Sequence, residues 1–275
     1  MSQIDGETFR QVKDLVLSGY NLDPIKKLPC PTATLPEGVT VESLERFNLV
    51  RFRFRGAMTT SHIDDFVRYS VGYSTEIMPS RCFIDADNMT ARSVFNIGDL
   101  TSPGHADNVA ALTLKKTSPY VAVLDVDGRR MGQKEIAEWL EDWSEFLTAF
   151  DAEGNVMPIS QAAQAVRRVN IKQIQESSHE DENFAGKQSL MQSVEASSRD
   201  VMPVAFEFKF NPYEGLNERR FSLRNSLLKG DSPVFVLRIV QLEAQQEDMA
   251  LEFRTLLESK FDGATVETFI GNFKA

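Results

Sequence analysis

The apolar positions along this chain change period several times, and each change marks an expected element. Phe9, Val12, Leu15 and Val16 share one side of a helix over Glu7–Leu17, which Gly19 ends. Further on, Val50, Phe52 and Phe54 alternate with Arg51, Arg53 and Arg55. A strand there puts an apolar set on the core face and a basic set on the solvent face. Thr60–Asp65 opens a second helix, with Ser61 as N-cap, Asp64 as its capping-box partner, and Ile63, Phe66, Val67 and Ser70 on one side. Arg81–Ile84, Thr90–Ile97, Val109–Leu114 and Tyr120–Asp125 then read as four strands, the last followed by a hairpin-like Asp127–Gly128 turn. Their connections are too short for repeated parallel βαβ units, so an antiparallel sheet or compact barrel is expected.

The centre of the chain switches to helical spacing. Ile136, Trp139, Leu140, Trp143, Leu147 and Phe150 form one apolar stripe over Gly132–Phe150, opposite Glu135, Glu138, Glu141, Asp142 and Glu145. Asp151–Asn155 breaks that helix, and Ser160–Ile174 predicts another with Ala162, Ala165, Val166, Val169 and Ile174 inward. Residues 175–200 are rich in Ser, Glu, Asp and Gln and read as a helical excursion or arm.

Period two returns at Val204, Phe206, Phe208 and Phe210. With Arg219–Leu227 and Val234–Leu242 it predicts a three-stranded antiparallel meander, in which Arg220, Ser222 and Arg224 face away from Phe221, Leu223, Asn225 and Leu227. Gln245–Phe261 follows as a helix. Thr265–Ile270 is a short edge strand that joins the same sheet or pairs with another subunit. The fold class is α+β. The expected organisation is an N-terminal α+β region over residues 1–150, an arm over 151–200 and a C-terminal β-meander with helix over 201–275, the last either separate or part of one continuous core.

Charge narrows the function classes. Of the 275 residues, 40 are acidic and 30 are Lys or Arg, a formal charge of −10. That disfavours generic duplex binding but leaves room for a local basic groove. The N-terminal residues lack a basic segment followed by an apolar core, so no secretory signal is expected there. No apolar run approaches the roughly 20 residues of a membrane span, and no membrane partner is expected. The two cysteines form no CxxC pair: Cys30 lies among Pro24, Pro29, Pro31 and Pro36, in a segment expected to be irregular, and Cys82 reads as a small core residue.

The densest candidate chemistry lies in residues 81–114. Asp85, Asp87, Asp99, His105 and Asp107 are oxygen and imidazole donors suited to a divalent metal, and Pro103 and Gly104 place His105 on a loop. Asp, Asn and Gly also build ordinary turns, which is the first reading of this segment. Arg51, Arg53 and Arg55 are candidate phosphate contacts. Trp139 and Trp143 are candidate interaction residues on the acidic helix. No G-x-S-x-G elbow, P-loop, GxGxxG or HExxH motif is present, so no catalytic residue is assigned and no cofactor is expected.

The Leu35–Gly38, Arg53–Gly56, Phe83–Asn96, Gly104–Asp107, Thr117–Tyr120, Gln133–Asp142 and Phe206–Leu227 segments resemble the YfdQ-like DUF2303 family, uncharacterised proteins of tailed phages and prophages. The resemblance implies a phage accessory protein in the bacterial host cytoplasm and carries over no catalytic set. The leading expectation is a non-enzymatic, self-associating protein with a structural or scaffolding role. Two alternatives stand beside it: a single-stranded nucleic-acid-binding accessory of phage recombination using Arg51, Arg53 and Arg55, and a metal-dependent phosphoesterase built on Asp85, Asp87, His105 and Asp107.

Overall fold

A computed structural model describes residues 6–19, 45–169, 201–228 and 232–274. Two units are distinguished, residues 1–54 and 55–275. In the first, helix α1 (Gly6–Gly19) carries exposed Phe9, Val12 and Val16, and Glu45–Phe47 is a short 3-10 turn. The Pro-rich segment with Cys30 and the 175–200 arm lie outside the described residues.

Two sheets organise residues 55–275. The first contains β1 (Gly56–Thr60), β2 (Ser80–Asp85), β3 (Thr90–Val94), β4 (Asn108–Thr113) and β11 (Val266–Ile270), in the order β1-β4-β3-β2-β11. Its three central strands are antiparallel, and both edge strands pair parallel to their neighbours. The sheet is therefore mixed. Ser80, Cys82 and Ile84 alternate inward along β2, opposite Ser93 and Ala91 of β3. Helix α2 (Ile63–Gly72) packs against β1 and β4, and α6 (Leu242–Phe261) against α2 and β11. Phe66 and Phe261 meet edge to face at 6.2 Å between the two helices. On the other face, Val94, Ala106 and Val109 form a small second cluster under Phe83, Ile97 and Phe273.

The second sheet is wholly antiparallel, in the order β5-β10-β9-β8-β6-β7. It comprises β5 (Arg130–Gly132), β6 (Leu147–Phe150), β7 (Val156–Met157), β8 (Ala205–Phe210), β9 (Arg219–Leu228) and β10 (Val234–Ile239). The expected meander is its centre. Phe206, Phe208, Phe210, Phe221, Leu223 and Leu227 point into the same cluster of buried side chains as Cys82 and Ile84 of the first sheet. Helices α3 (Ser118–Val126), α4 (Gln133–Asp142) and α5 (Ile159–Arg168) complete the fold. The Gln133 amide donates to the carbonyls of Val166, Arg167 and Val169 at 2.8–3.2 Å and so closes the end of α5.

Five expectations change. Residues 50–55 form no strand, and β1 begins at Gly56. The expected Ser61 capping box is absent: His62 occupies the N-cap position with no side-chain cap, and Asp64 pairs with Lys260 at 2.7 Å. Tyr120–Asp125 is helical, because Pro119 pre-sets the first turn and an apolar run has no period to forbid it. The long helix over 132–150 stops at Asp142, and Leu147–Phe150 becomes β6 because Leu147 pairs with Phe208 and Ala149 with Phe206. The last strand leaves the meander and joins β2 of the first sheet.

Candidate functional site

The N-terminal apolar and basic run folds as a loop around Glu45. The Asn48 amide donates to the Glu45 carbonyl at 3.0 Å, and the Phe52 amide donates to the Glu45 carboxylate at 3.1 Å. This closure replaces the extended backbone that alternation requires. Leu49, Val50 and Phe52 consequently face solvent, at 105%, 77% and 92% exposure. Arg51 is exposed and Arg53 half-buried in this unit, while Arg55 is exposed just before β1 in the other unit. The three arginines therefore do not line a strand face.

The Asp-rich segment divides into two turns. Asp85 ends β2, and its carboxylate accepts from the Asn88 side-chain amide at 2.9 and 3.0 Å. Asp87 is exposed on that turn. At the other end of β3, Asp99 accepts from the Thr101 hydroxyl and amide and from the Ser102 amide. Those bonds, the Thr101 hydroxyl first, hold its carboxyl below the ordinary range. Asp107 accepts from the Asn96 amide at 2.8 Å, and Asn96 in turn accepts from the Asn108 backbone. His105 is exposed on the loop between them. Asp85 pairs with Thr90 and Val94 with Val109, so about 13 Å of strand separates the Asp85–Asp87 turn from the His105–Asp107 loop. Among the described residues, no group of three or more His, Cys, Asp or Glu is placed to hold a metal ion.

Trp139 and Trp143 lie on and just past α4, partly buried. Their rings meet Phe208 edge to face at 5.6 and 6.0 Å. The acidic side of α4 is engaged within the chain, where Arg167 grips Glu141 through two bonds of 2.5 and 2.7 Å.

A groove of about 440 Å³ that no sequence motif marks lies beside the start of α2, lined by His62, Asp64, Glu214, Gly215 and Lys260 among others. The Lys260 ammonium donates to Asp64 and depresses its carboxyl pKa. Gly215, at φ +96°, lies so close to Ile63 that an added Cβ would come within 2.9 Å of its side chain. Nothing local in the sequence signals a groove whose walls come from three distant segments.

Among the described residues, no helix is long and apolar enough to cross a membrane. No curated protein and no solved structure matches the chain. The family described as an uncharacterized conserved protein, DUF2303, matches it over residues 25–273. The chain therefore belongs to the DUF2303 family of uncharacterised conserved proteins.

Proposed function

We propose that this protein is a non-enzymatic, homo-oligomeric accessory protein with a structural or scaffolding role, encoded by a phage or prophage and working in the host cytoplasm. The supporting observation is the apolar exposure of the N-terminal unit. Leu49, Val50 and Phe52 are solvent-facing within four residues of sequence, and α1 adds Phe9, Val12 and Val16. Each such side chain gains roughly 1.5–3 kcal/mol on full burial. Large apolar side chains left in solvent in this number point to an interaction site, and a second copy of the chain is the partner always present at matching concentration. The phage setting rests on the likeness to YfdQ-like proteins.

Light scattering after size exclusion tests the reading. The intact chain is expected to elute as a multimer of its 31.0 kDa mass. A Leu49→Ser, Val50→Ser, Phe52→Ser variant is expected to fall to lower mass with unchanged circular dichroism. A wild-type protein that stays monomeric at every concentration measured defeats the proposal.

A further inference from the structure

We infer that the solvent face of the six-stranded sheet binds single-stranded nucleic acid through Arg224, Arg238 and Arg130. Register places these residues together. Arg224 of β9 lies directly opposite Arg238 of β10, and Arg130 of β5 pairs with Val236, two residues from Arg238 on the same face. All three arginines are exposed. The only carboxylate that the paired strands put on this face is Glu207.

Two like-charged cross-strand pairs stand on this face, and they differ. Lys209 lies opposite Arg220, yet each has its own carboxylate: Lys209 meets Glu218 at 2.8 Å and Arg220 meets Glu207 at 3.7 Å. Among the described residues, Arg224, Arg238 and Arg130 form no ion pair and no side-chain hydrogen bond. The Arg238 guanidinium rests over the α3–β5 turn, 3.7–3.9 Å from where a Cβ on Gly128 would stand. Asp127 beside it is occupied with the Ile239 amide, from which it accepts at 2.8 Å. Like charges placed directly opposite each other disfavour the sheet. In a chain of net charge −10, uncompensated arginines gathered on one open face point to an anion supplied from outside.

The same cross-strand row identifies the class of anion. It runs Val156, Phe150, Ala205, Arg224, Arg238 across five strands. A half-buried aromatic ring, a small residue and two guanidinium groups thus lie along one row across the sheet. Backbone phosphates fit the arginines, and an unstacked base fits against Phe150, the combination by which single strands are held without sequence preference. A duplex keeps its bases stacked away from such a surface. Arg51, Arg53 and Arg55, the arginines prominent in the sequence, belong to none of these strands.

The test is fluorescence anisotropy of labelled poly-dT and poly-U with the full chain, titrated with salt. Binding is expected for either or both single strands at low salt, with affinity falling as salt rises. Arg224→Ala with Arg238→Ala is expected to weaken binding at least about tenfold and to flatten the salt slope by roughly 1.4, the contribution of two phosphates. Both side chains are exposed, and an unchanged thermal melt confirms folding. An Arg51→Ala, Arg53→Ala variant is expected to bind as wild type. Absence of binding at low salt, wild-type affinity in the Arg224/Arg238 variant, or equal affinity for blunt duplex would each overturn the inference. The assembly state is read separately by light scattering, so this outcome does not depend on self-association.

Discussion

Arg219 and Glu252 meet at 2.8 Å between β9 and α6, with only 18% and 17% of their side chains exposed. Glu252 also accepts the Asn217 amide at 2.7 Å, so one carboxylate holds both the turn before β9 and the strand itself against the helix. Among the described residues the buried Arg219 Nε has no hydrogen-bond partner, and Asp248 stands off at 3.8 Å. Glu252→Ala leaves a largely buried guanidinium with one distant carboxylate. The expected loss is about 2–3 kcal/mol, below the full cost of a deeply buried pair because water still reaches both groups. Urea denaturation checks it, and Arg219→Met, which keeps the stem and removes the charge, is expected to cost less.

Phe208 is fully buried among Trp139, Trp143, Phe146 and Phe210. Phe208→Ala opens a cavity at the point where α4 rests on the second sheet, with an expected cost of about 3–5 kcal/mol. Both tryptophans touch the deleted ring. Their emission is therefore expected to shift red in the folded variant, and an unshifted spectrum contradicts the packing.

How much of this was legible in the sequence depends on whether a signal was local. Phe206, Phe208 and Phe210 announce a strand because one face is buried, and the alternation survives into β8 unchanged. Trp143, Leu147 and Phe150 keep helical spacing with no glycine or proline between them. Only pairing with β8, more than fifty residues away, turns Leu147–Phe150 into a strand, and tertiary context routinely overrides such a pattern. Phe52 shows the reverse failure, since its alternation is clean and its side chain is exposed. For Arg224, the sequence gives the outward face. Its neighbour Arg238 emerges only from the register of β9 with β10.

Cys82 is buried, and desolvation pushes its thiol up to about 12, against a smaller opposing effect from Ser93. The folded state thus disfavours the thiolate more than the unfolded chain does. The resulting contribution to stability is fully present below the unfolded value of 9.0 and is lost as pH rises toward about 12. In a Cys30→Ser background, Cys82 is expected to resist a thiol-reactive dye at neutral pH until denaturant is added. Rapid labelling of the native protein contradicts this burial.

Asp64 lies on the exposed side of α2, and its hydrogen bond from Lys260 lowers its pKa. A depressed carboxyl contributes stability above its unfolded pKa and loses it as pH falls through the folded value. Lys260→Gln is expected to return the Asp64 titration, followed by NMR, toward 3.8. An unmoved midpoint contradicts the pairing between α2 and α6.

Gly104 decides whether the loop carrying His105 can form. Its amide donates to the Ile97 carbonyl at 2.9 Å, and the Ala106 amide donates to the Asn96 carbonyl at 3.1 Å. A Cβ at Gly104 would come within 2.0 Å of the Asn96 carbonyl oxygen. That neighbour is backbone, tied through its own side chain to Asp107 and Asn108, and cannot yield cheaply. Gly104→Ala must therefore displace the loop or break these bonds, at a cost of about 1–3 kcal/mol or more. The damage should stay local at first, because Val94, Ala106 and Val109 form the small cluster on the far side of the sheet from α2 and α6. Hydrogen exchange is expected to quicken at Asn96, Ala106 and Asn108 while β8 and β9 keep their protection. Uniform loss across both sheets would show instead that this loop is part of the global folding unit.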